Sequence, residues 1–289
     1  MRILFLGGDK RQLQIIASLY NQHQIDVIGY DNVKLLDDIK IKEIENIDIN
    51  NYKVIILPVS GVEEDLSVKA EFSKKKVILP IDLLVNTSED VVIFTGIRTN
   101  KLNMMLKLSN RKVIALMEDK EIVKENSIPT IEGIIGDLIY NTEHTINESN
   151  IFILGYGNIG KSLASILKML GAHVTVGVGF KNDYNLVKKK KIKGVLTYEY
   201  EMMREALNNS DIIINTIPAL VLNKEQLEMI NRQCYILDIA SYPHGIDFNY
   251  VNELKIRGKL LLGIPSLVAP KTAGLILAKK INSVLGGKK

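Results

Sequence analysis

Short apolar runs rich in β-branched residues alternate along the chain with longer segments in which apolar residues recur at helical spacing. Such alternation is typical of βα units that build a parallel sheet. In the first half, the runs predict strands at 2–6, 26–30, 54–58, 76–79, 91–95 and 113–117. Helical patterns such as 12–20 separate most of them, so this half is expected to form an α/β domain.

A long helical pattern at 129–145 then interrupts the alternation, with Pro129 suited to its first turn. The alternation resumes beyond it and predicts strands at 151–154, 173–178, 194–197, 211–215, 235–239 and 259–263, with helices at 159–170, 184–192, 199–208, 223–231 and 248–257. A final helix at 272–285 follows the completed strand set. Such a helix is expected to pack back on the first domain.

The composition fits two globular α/β domains. The chain has 289 residues, of which 46% are hydrophobic and 24% charged. The net charge of +4 comes without a basic stripe interleaved with aromatic residues, so small anionic ligands are expected rather than nucleic acid. The single cysteine, Cys234, lies in an apolar run and is expected to be buried and reduced. No apolar run approaches the roughly 18 residues of a membrane span, and we expect a cytoplasmic protein without a membrane partner.

A glycine-rich turn joins the first strand of the second half to the following helix. Gly155, Gly157 and Gly160 have the spacing Gly-x-Gly-x-x-Gly. In this context the first glycine permits the tight turn, the second lets a pyrophosphate approach the backbone, and the third allows close packing of helix on strand. Free N–H groups at the start of the helix add a site for phosphate. The turn therefore predicts a dinucleotide site that includes Asn158 and Ile159.

The turn assigns roles to the two domains. We expect an N-terminal domain for substrate or partner binding at 1–125, to which a C-terminal helix at 270–289 returns. The NAD(P)-binding Rossmann domain is expected at 126–269 and includes the linking helix. The predicted fold is therefore α/β, with two Rossmann-like parallel-sheet domains joined by a long helix.

The end of the next strand bears on the choice of cofactor. An NAD site usually has an Asp or Glu about 20 residues beyond the first glycine, which bonds the ribose. Residues 175–182 contain no carboxylate, and the first to follow is Asp183. Lys181 suits a 2′-phosphate, so NADP is favoured and NAD is left open. The lysine run at 188–191 is interpreted mainly as a solvated helix face.

Two later strands end in polar segments that are expected at the same edge of the sheet. Asn215-Thr216-Ile217-Pro218 ends one strand, and the segment up to Ser241 ends the next. Doubly wound folds bind ligands at the carboxyl ends of their strands. We therefore predict cofactor contacts from Thr216, Ile217, Pro218 and Ser241. The alternatives are a simple turn at 215–218 and a role for Asp238 only as a helix cap.

The first domain offers candidate anion ligands. Its first strand-to-helix turn contains Gly8 and Arg11 but no third glycine at the dinucleotide spacing, so an anion held by the Gly8 amide and Arg11 is expected instead. Ser60 also follows an apolar strand at this edge. Thr130 and Glu132 lie where the chain crosses between the predicted domains.

Two further residues are candidates for charge or proton transfer. Lys271 lies at a helix start, where a cation opposes the helix dipole, so its charge is expected to serve a ligand. His244 follows a strand end and is the one histidine considered for acid–base work. The four histidines show no metal-ligand spacing, and no metal is expected.

Several sequence blocks outside the glycine turn are distinctive. Together they resemble the family of dipicolinate synthase A subunits. The blocks that carry this resemblance are 7–13, 56–61, 126–133, 215–218, 237–241 and 268–274. The resemblance implies oxidation of dihydrodipicolinate, or of its hydroxytetrahydro precursor, to dipicolinate. It also implies a nicotinamide cofactor, a partner in the flavoprotein-like B subunit of the synthase, and the mother-cell cytoplasm of a sporulating bacterium. The sequence departs from the family at 177–181, where an Arg suited to a 2′-phosphate is replaced by a stretch ending in Lys181.

This chemistry suggests roles for the candidates. A cyclic dicarboxylate substrate needs two cationic or N–H-rich anchors, for which Arg11 and Lys271 are best placed, with Ser60 and Thr130 as further substrate contacts. Lys271, Glu132 and His244 are the catalytic candidates for proton transfer. A 2-hydroxy-acid-type dehydrogenase and a non-catalytic, cofactor-binding component that supports the B subunit remain alternatives. The formation of a homo-oligomer is left open.

Overall fold

The computed structural model describes residues 1–107 and 111–286. These residues divide into two compact units. Unit 1 comprises Met1–Asn126 and the C-terminal stretch from Pro265, and unit 2 comprises Ser127–Ile264. Unit 1 is therefore discontinuous in sequence, whereas unit 2 is one continuous segment.

The elements alternate between strand and helix along most of the chain. The strands are β1 (Arg2–Leu6), β2 (Gln24–Ile28), β3 (Lys40–Ile41), β4 (Val54–Ile56), β5 (Ser67–Val68), β6 (Val77–Ile78), β7 (Val92–Thr95), β8 (Lys112–Ala115), β9 (Asn150–Leu154), β10 (His173–Val178), β11 (Lys193–Leu196), β12 (Ile212–Asn215), β13 (Tyr235–Asp238) and β14 (Arg257–Leu260). The helices are α1 (Lys10–Leu19), α2 (Asn100–Leu106), α3 (Lys120–Asn141), α4 (Asn158–Met169), α5 (Lys181–Lys189), α6 (Tyr200–Asn208), α7 (Lys224–Glu228), α8 (Phe248–Glu253), α9 (Ile264–Val268) and α10 (Pro270–Val284).

Unit 1 is built on a six-stranded sheet with the order β3-β2-β1-β4-β7-β8. Every pairing in it is parallel. On one face, α1 packs against α10, and Ile16 and Leu19 share a core cluster with Leu277 and Ile281. A Cβ added to Gly274 of α10 would lie 2.5 Å from the backbone oxygen of Arg11, so the two helices approach closely there. The C-terminal helix thus packs on the first domain, as the sequence predicts.

Unit 2 repeats this arrangement with a second parallel sheet, in the order β11-β10-β9-β12-β13-β14. Ile151 and Ile153 of β9 are fully or almost fully buried against Leu163 and Leu167 of α4. Because β-branched residues fill the central strands and apolar residues line one side of α4, the sheet is covered as a parallel sheet requires. Both units therefore have the Rossmann-like order that the sequence predicts.

One strand prediction from the sequence differs from the structure, and one strand of the structure is missed by the sequence pattern. The run at 76–79 is not part of the parallel sheet, because β6 pairs antiparallel with β5. The outer strand β3 has only two residues, both exposed, and gives no apolar run that a sequence pattern reveals. The prediction of a parallel strand at 76–79 is therefore wrong, and the edge position belongs to β3.

The long helix also begins earlier than predicted. The carboxylate of Asp119 accepts hydrogen bonds from the N–H groups of Glu121 (2.9 Å) and Ile122 (3.3 Å). This side chain caps α3, so the helix starts at Lys120 and Pro129 lies in its interior. The assignment of Pro129 to the first turn is wrong.

Candidate cofactor and substrate sites

The glycine turn of unit 2 joins β9 to α4, and two of its glycines are fixed by packing. Gly155 has φ of +104°, and a Cβ there would lie 2.2 Å from Oγ1 of Thr216. A Cβ on Gly160 would lie 2.3 Å from the backbone oxygen of Gly155. No other residue fits these positions, because the strand end, the helix start and the neighbouring strand end meet there.

Gly157 differs from the other two glycines. It is the N-cap of α4, no side chain caps the helix there, and a Cβ on it would meet nothing within 4 Å. The N–H groups of the first helical turn, at Asn158, Ile159 and Gly160, have no partners within the helix itself. An open backbone surface at a helix N-terminus fits a pyrophosphate, so the residues present match the dinucleotide that the turn predicts.

The end of β12 lies against this turn. Oγ1 of Thr216 donates a hydrogen bond to the backbone oxygen of Leu154 (2.9 Å). A Cβ on Gly155 would also come within 3.0 Å of the Ile217 side chain. The structure thus brings Thr216 and Ile217 to the glycine turn, with Pro218 directly after them.

A buried amide–carboxylate pair supports the ends of β12 and β13. Nδ2 of Asn215 donates to Oδ1 of Asp238 (2.8 Å), and both side chains are fully buried. Asp238 also accepts hydrogen bonds from the N–H groups of Ala240 (3.0 Å) and Gly245 (2.9 Å). Asp238 therefore holds the loop that follows β13, a role that the sequence suggests only through a polar residue at each of two strand ends.

His244 lies in this loop with φ of +68°. Its Nδ1 is 2.8 Å from the backbone oxygen of Ala240, and because a carbonyl only accepts, Nδ1 carries the proton. Nε2 of the neutral ring is then the nitrogen able to accept a proton. The Tyr242 ring meets the His244 ring edge-on at 5.8 Å, and Ser241 is exposed in the same loop.

The end of β10 leads into α5 through exposed residues. Phe180 is 74% exposed, and Lys181 is the exposed first residue of α5. Nζ of Lys188 lies 5.1 Å from the ring centre of Tyr184, which accounts for one lysine of the 188–191 run as a cation–π contact on the helix surface. Lys181 makes no such contact among the described residues.

The corresponding turn of unit 1 is filled by protein groups. The Asp9 carboxylate caps α1 and binds Nε (3.0 Å) and Nη2 (2.7 Å) of Arg11, and both side chains are almost fully buried. The Gly8 N–H donates to the backbone oxygen of Lys69 (2.6 Å). These contacts occupy the donors that the sequence pattern assigns to an anion.

The charges of this turn compensate one another. Burial raises the pKa of the Asp9 carboxyl, but hydrogen bonds and charge from Arg11, with a further contribution from Lys69, outweigh burial. The pKa of Asp9 is therefore below its ordinary value, and the carboxylate stays ionised. The Arg11 guanidinium is bound to that carboxylate. Its role as a substrate ligand stays a prediction.

Unit 1 has a cavity of about 470 Å³ next to this turn, lined by Ser60, Lys69 and the lysines of 74–76 among others. The Ser60 hydroxyl oxygen is shielded and has no hydrogen-bond partner within the described part of the chain. The sequence pattern predicts Ser60 but misses Lys69, which follows β5 in a segment without a motif.

The other predicted residues lie in separate parts of the molecule. In unit 2, Thr130 is a buried residue of α3 and Glu132 an exposed one. In unit 1, Lys271 is the exposed second residue of α10. Across residues 1–107 and 111–286, no three His, Cys, Asp or Glu side chains are arranged to hold a metal ion, and no helix is long and apolar enough to cross a membrane.

Residues 136–240 match the family model of the NAD-binding domain of D-isomer-specific 2-hydroxyacid dehydrogenases. Together with the open glycine turn on a doubly wound parallel sheet, this match defines a nicotinamide-nucleotide-binding oxidoreductase. Residues 2–117 match the model of the N-terminal domain of the dipicolinate synthase A subunit.

Similarity to known proteins extends over the whole chain. The chain is 36% identical to the A subunit of dipicolinate synthase from Bacillus subtilis (strain 168), over 99% of this chain and 96% of the relative. The crystal structure of the dipicolinate synthase A subunit from Bacillus halodurans superposes with a TM-score of 0.91 at 34% identity, covering 99% of this chain and 98% of that one. The crystal structure of the Bacillus subtilis protein gives 0.87 at 36% identity, covering 99% and 96%. The chain belongs to the family of dipicolinate synthase A subunits.

Proposed function

We propose that this chain oxidises dihydrodipicolinate, or its 4-hydroxytetrahydro precursor, to dipicolinate with NADP. It acts with the B subunit of the synthase in the mother-cell cytoplasm of a sporulating bacterium. The observation that carries the proposal is the 36% identity over 99% of the chain to a dipicolinate synthase A subunit. The implied partner follows from that relative being one subunit of a synthase.

In this proposal, different residues of unit 2 bind different parts of the dinucleotide. The backbone from Gly155 to Gly160 receives the pyrophosphate, Lys181 the 2′-phosphate, and Thr216, Ile217, Pro218 and Ser241 line the strand ends. The bound dinucleotide would supply the hydride acceptor for the oxidation. Aromatisation of dihydrodipicolinate also releases a proton, and the 4-hydroxytetrahydro precursor must lose a molecule of water as well. In this proposal Nε2 of His244 accepts the proton, which is supported by the donation of Nδ1 to the backbone oxygen of Ala240. Lys271 and Glu132 are the further candidates for proton transfer.

Turnover by purified components tests the proposal. The chain is mixed with the product of the lysine-pathway condensation and with NADP or NAD, each with and without the B subunit, while the absorbance of dipicolinate is followed. We expect dipicolinate to form fastest when NADP and the B subunit are both present. Absence of dipicolinate from every combination would contradict the proposed reaction, and NADP binding without turnover would favour a cofactor-binding component that supports the B subunit.

The match of 136–240 to the 2-hydroxyacid dehydrogenase domain favours one second candidate, a 2-hydroxy-acid-type dehydrogenase. It predicts that the chain alone forms reduced cofactor from small 2-hydroxy acids. The same assay with a panel of such acids separates the two functions, because dipicolinate is formed only in the first.

A further inference from the structure

We propose that Lys69 binds one carboxylate of the substrate, in the cavity of unit 1 that it shares with Ser60. The inference rests on the proposed function, because the ligand is the cyclic dicarboxylate or its pyridine-2,6-dicarboxylate product. The cavity, the partners of its lysines and the backbone contacts of Lys69 all favour this site.

The cavity has the size and polarity of a site for a small anion. Its volume of about 470 Å³ lies within the usual range for small-molecule sites. Four lysines line it: Lys69, Lys74, Lys75 and Lys76. The Ser60 hydroxyl is a shielded polar atom with no partner in the described residues, although buried hydroxyls are usually hydrogen-bonded. Because this oxygen has almost no solvent-accessible surface, a ligand in the cavity meets the lysines rather than the Ser60 hydroxyl.

Lys74 is exposed and has no side-chain partner within the described chain, and the other three lysines differ in their partners. Lys76 is hydrogen-bonded to the Asp65 carboxylate, and Lys75 lies 3.7 Å from Glu43. Lys69 is half-exposed, and its Nζ is 3.8 Å from Oδ2 of Asp9, beyond hydrogen-bond distance. Lys69 is thus held by charge, while its N–H donors make no side-chain hydrogen bond within the described chain.

A second carboxylate lies near Lys69 but also makes no hydrogen bond to it. Oε2 of Glu71 is 3.9 Å from Nζ, again too far for a hydrogen bond. Asp9 is already bound by Arg11 through two side-chain nitrogens. Because Arg11 compensates most of the Asp9 charge, Lys69 retains charge and donors for an incoming carboxylate. Lys69 therefore contacts the ligand, whereas Arg11 acts indirectly by compensating the charge of Asp9.

The backbone fixes where Lys69 stands. Its oxygen accepts the Gly8 N–H, and the Glu71 N–H donates to the Gly8 oxygen (2.9 Å), so the segment 69–71 pairs in parallel with the chain at Gly8, just beyond β1. A Cβ on Gly7, whose φ is +67°, would lie 2.5 Å from the Lys69 oxygen. Glycines at the end of β1 therefore admit the segment that carries the lysine. The backbone that carries Lys69 is therefore already ordered before a ligand binds.

Calorimetric titration of the full chain with pyridine-2,6-dicarboxylate and with pyridine-2-carboxylate tests the inference. Lys69→Met keeps the length of the side chain and removes its charge, and Lys74→Met makes the same change on another lysine of the same cavity. We expect Lys69→Met to weaken dicarboxylate binding about tenfold to a hundredfold, as for loss of a charge-assisted hydrogen bond. Lys74→Met should change it less than about threefold, since exposed charges contribute little.

The monocarboxylate gives a second readout. Wild-type chain should prefer the dicarboxylate, and Lys69→Met should lose most of that preference at an unchanged melting temperature. Equal losses in both variants would show attraction by the general charge of the cavity and would overturn the role of Lys69. Wild-type affinity and KM in Lys69→Met would overturn it while leaving the proposed function intact. A wild-type chain that neither binds the dicarboxylate nor forms dipicolinate together with the B subunit would overturn both.

Discussion

The two units have the same strand order, yet the first turn of each is completed in a different way. In unit 2 the cap of α4 is Gly157, with no capping side chain and open space beside it. In unit 1 the Asp9 carboxylate caps α1 from within the chain. A helix N-terminus attracts a negative charge in both cases. In unit 1 the protein supplies that charge itself, whereas in unit 2 the position is left for a phosphate.

The residues that follow the second strand are also buried in unit 1 and exposed in unit 2. In unit 1, Tyr30 is fully buried, donates to the backbone oxygen of Gly7 (2.9 Å) and stacks on Phe72 at 5.6 Å. In unit 2 the chain passes instead through the exposed Phe180 into Lys181. The same topology therefore gives one closed turn and one open turn, and side chains of a few residues decide between them.

Transferring the cap of unit 1 to unit 2 should have the largest effect. Gly157→Asp places a carboxylate where the pyrophosphate is expected, and we predict about a thousandfold weaker NADP binding from repulsion and lost phosphate contacts. The melting temperature should hold or rise slightly, since Asp is a good N-cap. Titration calorimetry measures the affinity, and Gly157→Ala separates the effect of bulk from that of charge. Unchanged affinity in Gly157→Asp would place the dinucleotide elsewhere.

Opening the turn of unit 1 should cost stability. Arg11→Met leaves the buried Asp9 carboxylate without its main partner, and we expect a loss of about 3 kcal/mol in the free energy of unfolding of unit 1. Hydrogen exchange of the α1 and β1 amides reports on this unit separately. Arg98→Met is the matched control, because Arg98 is exposed and lies 3.7 Å from Glu118. Equal protection in the two variants would contradict the structural role of the Asp9–Arg11 pair.

The open strand end of unit 2 should set the preference between cofactors. Lys181→Glu is expected to weaken NADP binding about tenfold and to leave NAD binding nearly unchanged, because only NADP carries the 2′-phosphate. Lys189→Glu, on the same helix, controls for the overall change in charge. A parallel loss for NAD and NADP in Lys181→Glu would mean that Lys181 does not contact the 2′-phosphate.

The smallest expected effect concerns a histidine near the start of the second strand in each unit. Both ring nitrogens of His23 are shielded without hydrogen-bond partners among the described residues, and burial, with the positive amino terminus, lowers its pKa below the ordinary 6.5. The unfolded chain therefore binds the proton more tightly, so stability is fully present above pH 6.5 and declines as the pH falls below it. His173 in unit 2 is exposed and 3.2 Å from Glu148.

Urea unfolding at pH values of about 7.5 and 5.5, on either side of the ordinary histidine pKa, measures this difference. The loss of stability at the lower pH should shrink in His23→Leu and persist in His173→Gln. An equal pH dependence in wild type and His23→Leu would show that other groups cause it.

Local patterns in the sequence predict the open turn well. The spacing of Gly155, Gly157 and Gly160 between a strand and a helix predicts the shape of this turn, and the regular alternation of strands and helices predicts the two parallel sheets. Local sequence patterns do not predict that the turn of unit 1 is closed. Its Gly8 amide is bonded by the distant Lys69, and Arg11 turns toward Asp9 only because the surroundings are buried.

Two other differences have the same origin. The apolar run at 76–79 looks like any strand of a parallel sheet, and its antiparallel partner β5 is too short to show in the pattern. For α3, the Asp119 cap well before Pro129 decides where the helix starts, although a proline alone suggests a beginning. A short partner strand decides the first case, and a capping side chain outside the predicted helix decides the second. Hydrophobic periodicity contains no signal for either.

The C-terminal helix has a consequence for synthesis on the ribosome. Leu277, Ala278 and Ile281 of α10 belong to the core of unit 1, so the domain that is translated first lacks part of its interior until the end. At about 5–20 residues per second, roughly 7–30 s separate the first segment of unit 1 from its last helix. During that interval unit 2 is synthesised, since its residues lie between the two segments of unit 1. The nascent chain therefore exposes the α10-binding face of α1 until α10 has been synthesised.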